Sequence, residues 1–335
     1  MTNEIVLTGI KPTGKVHLGN YIAAIKPALQ IAKESDCIAL FFIADYHALT
    51  FIQNRDEFNE LSYGIAATWL ALGLDPDRVI FYRQSDVPEI FELNWILSCL
   101  TPKGLMNRAH AYKAIIDHNQ QLGLDTDTGV NMGLFTYPIL MTADILLFQS
   151  DKVPVGKDQI QYVEIARDIA DGFNRSYGDT FKLPNYVVDE NTYVIPGLDG
   201  RKMSKSYKNT IPLFESADSL KKLINKIKTD SIPPNEPKDP DTSNVFLLYK
   251  EFANPSQIQE LRENYQKGIS WGEAKQELFR VMNDYLEEPR KRYNELMASP
   301  EIIDSILLEG AKKARALAAP LLENVKTKIG RYKSL

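Results

Sequence analysis

The stretch from Thr8 to Tyr21, TGIKPTGKVHLGNY, decides the fold class. Just before it, Ile5 to Leu7 is a short apolar run of the kind that forms a buried strand. Just after it, Ile22 to Ala32 has helical spacing and helix-forming composition. Gly9 to Gly14 is therefore read as a strand-to-helix loop, with His17 to Asn20 opening the helix. Gly9 and Gly14 let the backbone turn sharply and let a ligand come close. Free amides and the positive dipole end at a helix start suit a phosphate, and Lys11, Lys15 and His17 add donors. The spacing is neither the dinucleotide G-x-G-x-x-G nor the P-loop, which needs G-K-[ST] after a fixed gap. Taken alone, the stretch fits a glycine-containing βα loop with a surface histidine equally well.

The chain that follows keeps the same alternation. Cys37 to Ala44 (CIALFFIA) reads as a buried parallel strand ending in the polar groups Asp45-Tyr46-His47. Phe58 to Leu74 has helical spacing, and Arg78 to Tyr82 is a third strand. This order predicts an α/β fold with a doubly wound parallel sheet, whose ligands bind at the carboxyl ends of the strands. Pro88 to Leu100, Pro102 to Ile116 and Leu134 to Phe148 read as helices, with Asp117 to Val130 a mobile loop between the last two. Lys152 to Val155 is a short strand and Lys157 to Arg175 an amphipathic helix. Leu183 to Gly200 holds short extended pieces. From Ser216 onward the chain is helical and more charged. We place a boundary near Ile211, with a Rossmann-like catalytic domain at 1–210, including a helical insertion near 88–150, and a helical domain at 211–335.

The 335 residues are 44% hydrophobic, enough for a sizeable core. Cys37 and Cys99 lie far apart in apolar surroundings, which is neither a disulfide framework nor a metal knuckle. Together with the absence of a long apolar run, this leads us to expect a cytoplasmic protein with no membrane span. The net charge of −5 gives no global signature of nucleic-acid binding, although RNA needs only a local basic face. Positive charge collects late, at Lys312, Lys313, Arg315, Lys326, Lys328, Arg331 and Lys333.

The second chemical signal is Lys202-Met203-Ser204-Lys205-Ser206, beside Gly200. Two lysines and two hydroxyls in five positions make a flexible polyanion clamp, and lysine is a mobile point charge suited to a phosphate that changes position. Preceded far upstream by PTGKVHLGN, this KMSKS resembles the paired signatures of the class I aminoacyl-tRNA synthetases, with Asn20 where the first signature ends in histidine. Phe135 to Leu147 (FTYPILMTADILL) and Val153 to Gln159 (VPVGKDQ) are similar to the tryptophanyl family. The tyrosyl family, which shares the architecture, is the alternative. The residues agree with the resemblance: Tyr137, Met141 and Asp144 fall on one helix face, and an acid in so apolar a helix must find a donor. An indole N–H is a pure donor, although a lysine or arginine of the fold would also serve.

The resemblance implies roles residue by residue. Asp144 accepts the indole N–H of L-tryptophan, while Leu7, Met141, Val153 and Val155 wall the ring. Tyr137 and Gln159 hold its α-amino group, with His47 nearby. Lys11, Pro12, Thr13, His17, Gly19 and Asn20 line the ATP phosphates. Gly156, Lys157, Asp158 and the backbone around Val194 meet the ribose and adenine. Lys202, Met203, Ser204, Lys205 and Ser206 follow the departing pyrophosphate, and Arg108 and Lys113 add a phosphate contact. Leu7 and Lys11 stand where many bacterial relatives have Phe and Gln, so Lys11 has two candidate partners, the substrate carboxylate or the α-phosphate. The resemblance further implies a homodimer built on the helices between Pro88 and Ile116, tRNA(Trp) as partner, and Mg²⁺ arriving with ATP. No spacing argues for a protein-bound metal.

Overall fold

A computed structural model describes residues 4–33, 37–188 and 194–331. Lys333 and the middle of the Leu183 to Gly200 stretch lie outside the described residues. Five parallel strands form one sheet in the order β3-β2-β1-β4-β5. They are β1 (Glu4–Ile10), β2 (Cys37–Ile43), β3 (Ile80–Arg83), β4 (Lys152–Pro154) and β5 (Asn185–Val187). The central β1 pairs with β2 along its whole length, from Glu4 opposite Cys37 to Ile10 opposite Ile43. The chain builds outward from β1 in one direction, then returns to lay β4 on its other side. The switch point of the sheet is therefore the carboxyl end between β1 and β4, where a crevice opens in folds of this kind.

The helix after β1 starts as Leu18–Asn20, widens into a π turn over Tyr21–Ile25 and continues as Lys26–Ile31. Pro27 supplies the reason: it has no N–H, and its ring crowds the carbonyl one turn back, so the helix opens by one residue. The expected Pro102 to Ile116 helix is two pieces, Lys103–Met106 and His110–Gln121, because Ala109 is extended between them. The second piece runs into what reads as a mobile loop. There Asn119 is buried and donates to the carbonyls of Thr126 and Thr128, and Tyr112 donates to Asp127. The polar turn is thus tied down by the helix before it.

The expected boundary near Ile211 is a crossing point in the packing. Ile211 and Leu213 are buried in the same core as Leu18, Tyr21 and Phe41, and that core continues into the later helices through Phe246, Leu278 and Leu286. Lys26 donates to the Glu251 side chain at 3.0 Å, and the Tyr21 and Tyr285 hydroxyls share a hydrogen bond. The last helix, Pro300–Lys328, lies along β3, with Ala311, Ala314 and Ala318 buried against the core under the sheet. Small residues allow this approach, and at Gly310 it is closest: a methyl group there would overlap the Phe81 carbonyl. Gly310→Ala is therefore expected to lower the stability of the folded chain by about 1–3 kcal/mol, the usual cost of overpacking. Thermal or urea unfolding measures it, and an unchanged midpoint would mean the helix moves aside freely.

Candidate active site

The first loop and the KMSKS segment meet. Leu18 N–H donates to the Ile211 carbonyl at 2.9 Å, and Leu213 N–H donates to Val16 at 3.0 Å. Gly19 N–H points at Met203 Sδ, 3.3 Å away, and Met203 is buried. Lys205 Nζ donates to the Thr13 carbonyl at 3.2 Å and passes beside Gly14, whose φ of +120° favours glycine. Two stretches far apart in sequence thus form one surface at the switch point of the sheet.

The helix start is built around His17. Its Nδ1 accepts from Asn20 N–H at 3.3 Å, while Asn20 Oδ1 accepts from His17 N–H at 3.2 Å, a reciprocal capping box. This gives Asn20 a physical reason to stand where the family signature ends in histidine. Because Nδ1 is an acceptor, Nε2 carries the proton of the neutral ring and is the available donor. Burial, reinforced by the nearby Lys205 ammonium, pushes the His17 pKa down to about 4. The unfolded chain protonates near 6.5 and so binds more protons between the two values. Stability is then expected to fall as pH drops from 6.5 toward 4. His17→Asn keeps a capping side chain and should lose that component of the slope. Matching pH profiles of thermal unfolding in the two proteins would overturn this.

Lys11 follows β1, half-buried, with its ammonium 5.0 Å from the centre of the Phe51 ring, and burial lowers its pKa. Thr13 contributes its backbone carbonyl, and Pro12 beside it is buried. Lys202 and Ser206 are exposed, and Ser204 is half-buried. Asn209 braces their loop: its Oδ1 accepts from Ser204 N–H at 2.8 Å, and its Nδ2 donates to Asp199 at 2.7 Å and to the Lys202 carbonyl at 3.1 Å.

Asp144 sits on the Met132–Leu146 helix and is 0% exposed. Its carboxylate has found donors: Gln84 Nε2 lies 2.8 Å from Oδ1 and 2.9 Å from Oδ2, and His47 Nε2 lies 3.1 Å from Oδ2. Burial raises its pKa, opposed by the bonds to His47 and Gln84. Gln84 directly follows β3 and His47 closely follows β2, so the carboxylate lies at the carboxyl edge of the sheet. Tyr137 stacks edge-on to His47, with ring centres 5.9 Å apart, and on Tyr162 at 5.0 Å. Met141 and Val155 pack, partly buried, against the core that contains Leu7 and Val153. Across Gly9 lies the ring of Phe42, which leaves no room for a Cβ there and stacks on Tyr82.

The remaining expected residues are placed but make few contacts. Gly156, Lys157 and Asp158 are exposed on the turn after β4, and Gln159 donates to its neighbour Asp158. Val194 is exposed, as are Arg108 and Lys113. Sequence reasoning missed the roles of Gln84 and Asn209 and the crossing of Phe42 over Gly9; Asp45, expected at the strand end, is buried and accepts from Ser85 N–H at 3.1 Å. The one available signal for Gln84 was position: it directly follows β3 on the ligand-binding edge.

A family of class I tRNA synthetases, of the W and Y type, matches residues 2–287 of the chain. The tryptophan–tRNA ligase of Pseudomonas aeruginosa is 53% identical over 98% of this chain and 74% of its own length. That of Neisseria meningitidis is 52% identical over 98% of both chains. Among solved structures, tryptophanyl-tRNA synthetase from Campylobacter jejuni, complexed with ADP and tryptophan, superposes with a TM-score of 0.89. It is 46% identical, covering 97% of this chain and 99% of that one.

Proposed function

This chain belongs to the class I tRNA synthetases of the W and Y type, and on that premise we propose how its residues divide the work of joining tryptophan to tRNA. The activity itself is that of its relatives, a tryptophan–tRNA ligase that consumes ATP. Tryptophan carboxylate attacks the α-phosphorus in line, giving tryptophanyl-adenylate and pyrophosphate. The acyl group then passes to the terminal ribose of the tRNA. Such phosphoryl chemistry asks for positioning and charge neutralisation more than for a covalent nucleophile.

The observation that carries the assignment of roles is the meeting of the first loop with the KMSKS segment above a buried carboxylate at the same sheet edge. In this reading the His17 Nε2–H faces the phosphates, while the amides of Leu18, Gly19 and Asn20, bonded to Ile211, Met203 and His17, hold the loop that presents it. Lys205, already bonded to the Thr13 carbonyl, exchanges that acceptor for pyrophosphate oxygen, and Lys202 joins it. Gly156 to Asp158 meet the nucleoside. Asp144 takes the indole N–H, with Tyr137 and Gln159 at the α-amino end. Mg²⁺ fits as a companion of the phosphates: the groups around them are lysines and a histidine, which leaves the ion to phosphate oxygens and water.

We also infer a homodimer and a tRNA contact through the helices after Ile211. Ile90 and Leu97 are 0% exposed and belong to the core, whereas Trp95 on the same helix is 70% exposed. A tryptophan so exposed supports an interface there. No helix among the described residues is long and apolar enough to cross a membrane; a cytoplasmic location remains our reading of the composition.

Amino-acid-dependent ATP–pyrophosphate exchange tests the reading. Tryptophan is expected to drive exchange and tyrosine to leave it near background. Comparable exchange with tyrosine would overturn the role given to Asp144.

A further inference from the structure

We propose that Gln84 is the positioning residue that makes amino-acid recognition depend on a ring N–H, by holding Asp144 as a charged acceptor aimed at it. The inference rests on Asp144 being the indole partner and deepens that reading. Gln84 is 0% exposed, and its amide nitrogen reaches both oxygens of Asp144. His47 adds a contact to Oδ2 only, so Oδ1 keeps more of its lone-pair capacity for an incoming donor.

Two features argue that Gln84 is there for Asp144. Its own Oε1 is buried and accepts from no donor among the described residues. An unpaired buried acceptor is costly, so the amide orientation is set by the carboxylate and not by the needs of Gln84. Moreover, an amide is neutral. A lysine or arginine would hold Asp144 equally well but would neutralise it, whereas Gln84 leaves the negative charge to strengthen the substrate's hydrogen bond.

The turn that carries Gln84 is fixed from both sides. Ser85 N–H donates to the buried Asp45, and Arg83 bonds Asp86 and, at 2.6 Å, Asp304 of the last helix. The titratable group bonded to Gln84 is Asp144, which also faces His47 and Tyr82; Arg83, Asp86 and the Ser85-bound Asp45 flank the turn.

The test compares tryptophan with benzothienylalanine, in which sulfur replaces the ring N–H, by kcat/KM in ATP–pyrophosphate exchange. Gln84→Leu should lower the tryptophan-to-analogue ratio by about tenfold or more, the scale of one charge-assisted hydrogen bond, through KM for tryptophan and not for ATP. In Gln84→Glu the two carboxyl groups share a proton. The protonated glutamic acid donates as the amide does, so the ratio should approach wild type at acid pH and fall as pH rises, a slope absent from the wild-type enzyme. Equal losses for both amino acids, with no such slope in Gln84→Glu, would overturn the proposal and leave Gln84 a packing residue. Asp144→Asn separates the two layers. If it leaves the ratio intact, the pocket reading itself fails; if it collapses the ratio while both Gln84 variants preserve it, only the role of Gln84 fails.

Discussion

Lys205→Ala is expected to cut tryptophan-dependent ATP–pyrophosphate exchange by about 10²- to 10³-fold, the scale seen when one preorganised transition-state donor is removed. Tryptophan affinity, measured by equilibrium binding without ATP, should barely change. The reason lies in where the side chain already is. Its ammonium is held over the first loop by the Thr13 carbonyl, beside Gly14, and burial lowers its pKa. A cation partly stripped of water interacts more strongly with a departing anion than one in bulk solvent. Its hydrogen bond goes to Thr13 on the first loop, whereas Asp144 is held by His47 and Gln84. A parallel loss of tryptophan binding would instead make Lys205 a brace for the fold.

The second large effect is expected at Asp144. Asp144→Asn should raise KM for tryptophan by about 10²-fold or more, with little change in KM for ATP. The carboxylate presents two acceptor oxygens to Gln84 Nε2, to His47 Nε2 and, in our reading, to the indole N–H. Asparagine has one acceptor and one donor end, so three N–H groups compete for a single oxygen unless His47 Nε2 gives up its proton, in a site from which water is excluded. Such a mismatch costs more than losing a neutral hydrogen bond. Unchanged tryptophan affinity would move the amino acid away from this carboxylate and make the Asp144–His47–Gln84 cluster purely structural.

The parts of this molecule legible in the sequence are those whose chemistry is dense along the chain. TGIKPTGKVHLGNY and KMSKS crowd turn-forming and cationic residues into a few positions, and the apolar runs of β1, β2 and β3 have no competing reading as long helices. The helix carrying Tyr137, Met141 and Asp144 was legible because an acid in an apolar stretch is conspicuous. Gln84 and Asn209 were not: glutamine and asparagine are ordinary at surfaces, and only the fold makes them buried donors. Phe42 was read correctly as strand core, but its crossing over Gly9 depends on the register that sets β1 against β2. The break at Ala109 escaped because nothing local distinguishes it; the chain turns there to bring Ala111 N–H to the Tyr162 hydroxyl, a partner on another helix. The boundary at Ile211 looked like a change of composition, whereas in three dimensions it is the segment that hydrogen-bonds the first loop.

The helix laid along β3 bears on how this enzyme can be shortened. β3 is the outermost strand on its side, and an uncovered margin of a sheet offers unpaired backbone groups as a template for other chains. A truncation that stops before Pro300 would strip that margin and leave Arg83 without Asp304, one residue away from Gln84. Such a fragment would not be a self-sufficient part of the chain. It should clump on expression and bind its amino acid poorly, because the far end of the chain is the lid on the near end's sheet.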